Sequence, residues 1–66
     1  MTRCTWHIYG TPHGLWAHTT LLDEPGYEPM GKVHIREAPL YVGSTDERRR
    51  HYAGQAVEAY KAKVRP

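Results

Sequence analysis

The residues predict an α+β domain: a small three- or four-stranded antiparallel sheet that opens with a hairpin, with one C-terminal helix packed on one of its faces. Three observations point there. Residues 2–9 and 15–22 are rich in β-branched and aromatic types, alternate in character, and flank turn chemistry. A third alternating run lies at 32–37. The last third of the chain carries a helix-capping signature and then small apolar residues at helical spacing.

Taken in order, Thr2–Tyr9 is the first strand. Gly10-Thr11-Pro12-His13-Gly14 is a turn, with Pro12 presetting φ and Gly14 free to take φ > 0. Leu15–Leu22 is the second strand. Residues 23–31 hold two prolines and two glycines and read as a loop. Lys32–Glu37 is the third strand, ended at Ala38-Pro39 because proline cannot donate to a ladder. Leu40-Tyr41-Val42 either extends it past a bulge or forms a short fourth strand. Ser44-Thr45-Asp46-Glu47 matches a capping box, which starts a helix over about 45–63. Asp46 and Glu47 in its first turn, and Lys61, Lys63 and Arg65 in its last, suit the helix dipole. Ala53, Ala56, Val57, Tyr60 and Val64 share its apolar side, which is narrow enough to lie on a sheet.

Sixty-six residues make one domain, and a domain this small buries only about 60% of the surface its unfolded chain exposes. Deep pockets are therefore not expected, and function should sit on a face, an edge or a loop. An enzyme is not expected, nor a cofactor. Cys4 is the single cysteine, so no intrachain disulfide forms; it reads as a small core residue. A lone thiol with no apolar leader behind Met1 suggests a reducing, cytoplasmic setting. No run approaches the roughly 20 apolar residues of a membrane span. Net charge is +2 with histidines neutral, unevenly spread. Residues 23–31 hold Asp23, Glu24 and Glu28 and no base, whereas bases dominate both ends.

Hairpin register carries the functional reading. A loop from Thr11 to Gly14 pairs Gly10 with Leu15, Tyr9 with Trp16, Ile8 with Ala17 and His7 with His18. Continued, it pairs Trp6 with Thr19, Thr5 with Thr20 and Cys4 with Leu21. Cys4, Trp6, Ile8, Leu15, Ala17 and Leu21 then face the helix, joined by Val33 and Ile35. Arg3, Thr5, His7, Tyr9, Trp16, His18, Thr20, His34 and Arg36 face outward. A one-residue slip would mix the two sets. Trp, Tyr and Arg dominate binding hot spots, so the outward face reads as an interaction surface rather than a plain solvated one. Aromatic rings stack on bases and arginines neutralise phosphates, so Arg3, His7, Tyr9, Trp16, His18, His34 and Arg36 form a candidate nucleic-acid face, with Lys32 near it. Arg48, Arg49 and Arg50 could anchor the phosphate backbone.

The plan of three strands and a C-terminal helix, with Leu40–Asp46 leading into a helix that ends near Ala59-Tyr60, resembles the plant ethylene-response-factor DNA-binding domain and the arm-binding domain of tyrosine integrases. That resemblance implies reading of the DNA major groove by the sheet, through Arg3, Trp6, Trp16 and Arg36. Tyr41–Asp46 also resembles the second half of the GIY-YIG endonuclease motif, with Ile8-Tyr9 as a damaged first half. Tyr41 matches the tyrosine that this resemblance implies for catalysis, but His51 stands near the place of the implied arginine, and about thirty residues separate the halves.

Three histidines, His7, His18 and His34, suit a metal ion if their rings meet; His34 is expected nearest Thr20. Otherwise they are plain surface imidazoles. Cys4-x-x-His7 looks like half a zinc knuckle or a thiol catalyst, but residues three apart on a strand point to opposite faces. No metal site is expected. The expectation is a non-catalytic nucleic-acid-binding module. The competing one is a small protein-binding regulator or inhibitor that uses the same aromatic face or the 23–31 loop. A homodimer through a strand edge is also compatible with so thin a core.

Overall fold

The computed structural model describes residues 2–38 and 42–65. Its elements are β1 (Thr2–Thr11), β2 (Gly14–His18), β3 (Glu28–Glu37) and α1 (Thr45–Val64). Together they form a three-stranded antiparallel sheet and one C-terminal helix, the expected small α+β class. The candidate fourth strand at 40–42 falls outside the described residues, save Val42, which is exposed in a bend.

Hairpin register is the expected one. His7 pairs with His18, Ile8 with Ala17, Tyr9 with Trp16 and Gly10 with Leu15, and one further pair, Thr11 with Gly14, leaves Pro12-His13 as the loop. Alternation then puts Trp6, Ile8, Ala17, Val33 and Ile35 on the inner face, where they bury against Tyr52, Ala53 and Ala56 of α1. The two alanines are fully buried and short, so the helix lies close on the sheet. Ser44 caps it as the capping box requires, accepting from Glu47 N at 3.1 Å. Tyr52 fastens the helix to the end of β3 by accepting from Ala38 N at 2.9 Å. Val64, expected on the apolar side, is 55% exposed, because the helix outruns the sheet.

Three departures from the expected sheet matter. First, β2 stops at His18, so Trp6–Thr19, Thr5–Thr20 and Cys4–Leu21 do not pair, and Leu21 is 79% exposed rather than buried. Second, β3 begins at Glu28, inside the segment read as a loop. Pro29 is tolerated because β3 is an edge strand, and the register shifts there: Ile8 faces Gly31 and Tyr9 faces Pro29, leaving Met30 as the extra residue of a bulge. Gly31 takes φ +156, and a Cβ there would stand 3.4 Å from the Tyr60 ring, so glycine lets the helix end settle on the bulge.

Third, β3 pairs with β1, not with β2, giving the order β2-β1-β3. Residues 19–27 must therefore cross over β1. The helix occupies the inner face, so the crossing is made over the outer one. Tyr9 holds it there: its hydroxyl donates to Thr20 O at 3.2 Å and accepts from Leu22 N at 2.8 Å. The Tyr27 ring meets Tyr9 edge-on at 6.1 Å. Tyr9 thus sits on the outward face but is only 1% exposed, which corrects the expectation that it is free to stack on a base.

Replacing Tyr9 with Phe removes one hydroxyl that serves a donor and an acceptor of the crossing segment. We expect a loss of about 1–2 kcal/mol in urea denaturation and faster hydrogen exchange at Leu22 N, with the helix signal intact. Unchanged exchange at Leu22 would refute the role given to this hydroxyl.

Candidate nucleic-acid interface

With the Tyr9 end covered, the open part of the outer face is the other half, built by three cross-strand pairs between β1 and β3. Arg3 stands opposite Arg36, Thr5 opposite His34, and His7 opposite Lys32. His18 extends the last row on the β2 side. Arg3, Lys32, His34 and Arg36 are exposed, while Thr5, His7 and His18 are half-buried. None of these positions carries a carboxylate. Like charges directly opposite on a sheet repel, and Arg3–Arg36 is such a pair with no acid beside it in register. His34 Nδ1 and Thr5 Oγ1 share a hydrogen bond of 2.9 Å, which steadies the middle row. Lys63, from the end of α1, reaches the β3 edge and donates to Lys32 O at 3.3 Å. It lines a cleft of about 460 Å³ with Arg3, Lys32 and His34, so the basic strip continues round the edge. Sequence reasoning missed Lys63, since nothing local says where a helix end meets a sheet.

The expected site is only partly assembled. Arg3, His7, His18, His34 and Arg36 do share a face. Tyr9 is covered, and Trp16, at 37% exposure, belongs to the covered end. Arg48, Arg49 and Arg50 begin the helix, on the inner side of the sheet, and do not join the outer face. Arg48 is committed elsewhere: its Nη2 pairs with Glu37 Oε1 at 3.3 Å, rather than with Asp46 or Glu47. Arg49 and Arg50 are exposed. His34 lies beside Thr5, across β1 from His18, not near Thr20, because β3 took the other edge. Among the described residues no group of three His, Cys, Asp or Glu could hold a metal ion, so the three-histidine candidate is not supported. Cys4 and His7 project to opposite faces, as strand alternation requires. Tyr41, the residue of the endonuclease resemblance, lies outside the described residues.

The inner face contains a polar cluster that the sequence reading passed over. Glu37 shares strand parity with Val33 and Ile35 and is 4% exposed. It accepts from Trp6 Nε1 at 3.0 Å and from Arg48, and the Cys4 thiol donates to it. Burial alone would raise the Glu37 carboxyl. The hydrogen bonds from Cys4 and Trp6, with the charge and hydrogen bond of Arg48, outweigh that and hold it below its ordinary value. Cys4 is shifted the other way: its hydrogen bond to Glu37, then burial, then the carboxylate charge push the thiol up, only partly offset by Arg48. It is thus held protonated, and an activated thiolate nucleophile is not what this environment makes. A glutamate in phase with two core aliphatics was the available signal, since a buried carboxylate demands donors.

Comparison with protein-family models, curated proteins and solved structures gives no match. No helix among the described residues is long and apolar enough to cross a membrane.

The folded state holds the Glu37 carboxyl below its unfolded value, so the unfolded chain binds the proton more readily. Its stabilising contribution is present above the unfolded pKa and is lost as pH falls through the folded one. Glu37→Gln should cost about 1–2 kcal/mol at neutral pH, since Arg48 is left half-exposed rather than buried without a partner. The variant should also lose less stability than the parent on acidification below the ordinary carboxylate range. Parallel urea midpoints at neutral and acid pH measure both, and identical acid sensitivity would contradict the assignment.

Proposed function

We propose that the protein is a non-catalytic module that binds nucleic acid through the open half of the outer sheet face. One observation carries the reading: the Arg3–Arg36 pair heads a carboxylate-free strip that also holds His7, His18, Lys32 and His34. A fold that sets two arginines opposite each other pays a repulsion that a polyanion would relieve. Lys63 adds a further cation at the edge. With Tyr9 covered, base stacking is not the mode this surface favours. Contacts to phosphates are, and they confer affinity more than sequence discrimination. Arg49 and Arg50 stand on α1, which packs on the opposite face of the sheet from this strip. A single cysteine, left free, fits a reducing, cytoplasmic setting.

Phosphate binding is salt-dependent. With about three phosphate contacts, affinity should fall roughly 40-fold between about 50 and 200 mM salt. Electrophoretic shifts of mixed-sequence DNA at the two salt concentrations measure this. The double substitution Arg3→Gln/Arg36→Gln should weaken binding at low salt and cut the salt effect to roughly fourfold or less. Both side chains are exposed, so folding should be unimpaired or improved. No shift at low salt, or an undiminished one in the double variant, would exclude this face.

A further inference from the structure

The covered end of the outer face has the opposite chemistry. The hairpin tip is stiff, because Thr11 Oγ1 accepts from His13 N at 3.1 Å and donates to Gly14 O at 2.7 Å. Facing it, Glu24-Pro25-Gly26-Tyr27 makes a turn closed by Tyr27 N to Glu24 O at 3.3 Å. Pro25 and a Gly26 at φ +90 are the residues a type II turn demands. Tyr27 anchors this turn on Tyr9. The turn stands as a ridge between two clefts that meet at Pro12. One, of about 660 Å³, is walled by Tyr27 and Met30 and carries Glu24 and Glu28. The other, of about 450 Å³, is walled by Leu15, Trp16 and Tyr27. Trp16 and Met30 are 37% and 45% exposed, so apolar surface is offered on both sides of the ridge.

Charge says what would fill it. No lysine or arginine lines either cleft. Between His18 and Lys32 the chain has three acids and no base. Among the described residues Asp23, Glu24 and Glu28 take part in no ion pair. A polyanion is repelled here, and an apolar ligand alone leaves the carboxylates unused. We propose that this end docks a short extended protein segment that carries an arginine or lysine between apolar residues. The cation meets Glu24 and Glu28, while the flanking apolar side chains seat against Met30 on that side of the ridge and against Leu15 and Trp16 on the other. The preset walls, with two prolines and a bonded tip, keep the ordering cost on the protein's side small. This site is independent of the basic strip, so either can fail without the other.

The test is an NMR titration of the full 66-residue chain with two blocked peptides. One is acetyl-Leu-Pro-Arg-Leu-Pro-amide; the other has glutamate in place of arginine. The arginine peptide should move the Gly10, Trp16, Tyr27 and Met30 signals and bind roughly fivefold tighter at low salt, the margin exposed charge pairs supply. Glu24→Gln/Glu28→Gln, at two exposed positions, should abolish that preference and keep the spectrum of the fold. Equal binding of the two peptides, or shifts confined to Arg3, His34 and Arg36, would overturn the proposal. So would movement of the groove signals with mixed-sequence DNA, or with protein concentration alone, which would assign the groove to nucleic acid or to a second copy of the chain.

Discussion

The crossing of residues 19–27 over the central strand is the constraint on which the rest of the outer face depends. A meander would have left that face flat and open from end to end. Instead β3 takes the far edge of β1, and the connecting segment must be held down over β1 where no helix helps. Tyr9 does this with one hydroxyl that serves both a carbonyl and an amide of the crossing chain. Its ring supplies the apolar floor for Tyr27. An aromatic side chain that looked like a binding group is consumed in building the surface, and the groove beside it exists because of that.

At the other end of the sheet, Glu37 plays the corresponding part on the inner face. It ties β1, β3 and α1 together through Trp6, Cys4 and Arg48. A carboxylate in so thin a core is costly unless its lone pairs are taken up, and here each oxygen has a donor. The arginine that serves it is drawn from the basic run at the helix start, whose other members, Arg49 and Arg50, are exposed and take part in no ion pair among the described residues. The cluster therefore sets the charge that the helix shows to solvent as well as the position of its first turn.

The two halves of the outer face consequently differ in sign and texture. The half left open by the crossing is basic and flat, with arginines, a lysine and histidines in three rows. The half made by the crossing is acidic, grooved and lined by aromatic, proline and methionine side chains. A chain with a net charge of only +2 thus presents two separated fields, and the two proposed ligands would not compete for one surface.

By itself the sequence determined the hairpin register, the inward and outward sets of β1, the helix with its Ser44 cap, and the α+β class. These are local: alternation has period two, a tight turn sets register between near neighbours, and a cap involves residues three apart. It did not determine which edge of β1 receives β3, that Pro29 and Gly31 belong to a strand, that Tyr9 is covered, or that Glu37 is buried with Arg48. Those outcomes rest on contacts between distant residues, such as Trp6 with Glu37, 31 positions apart. The pattern of a strand says which way a side chain points; only the packed chain decides what comes to lie on top of it.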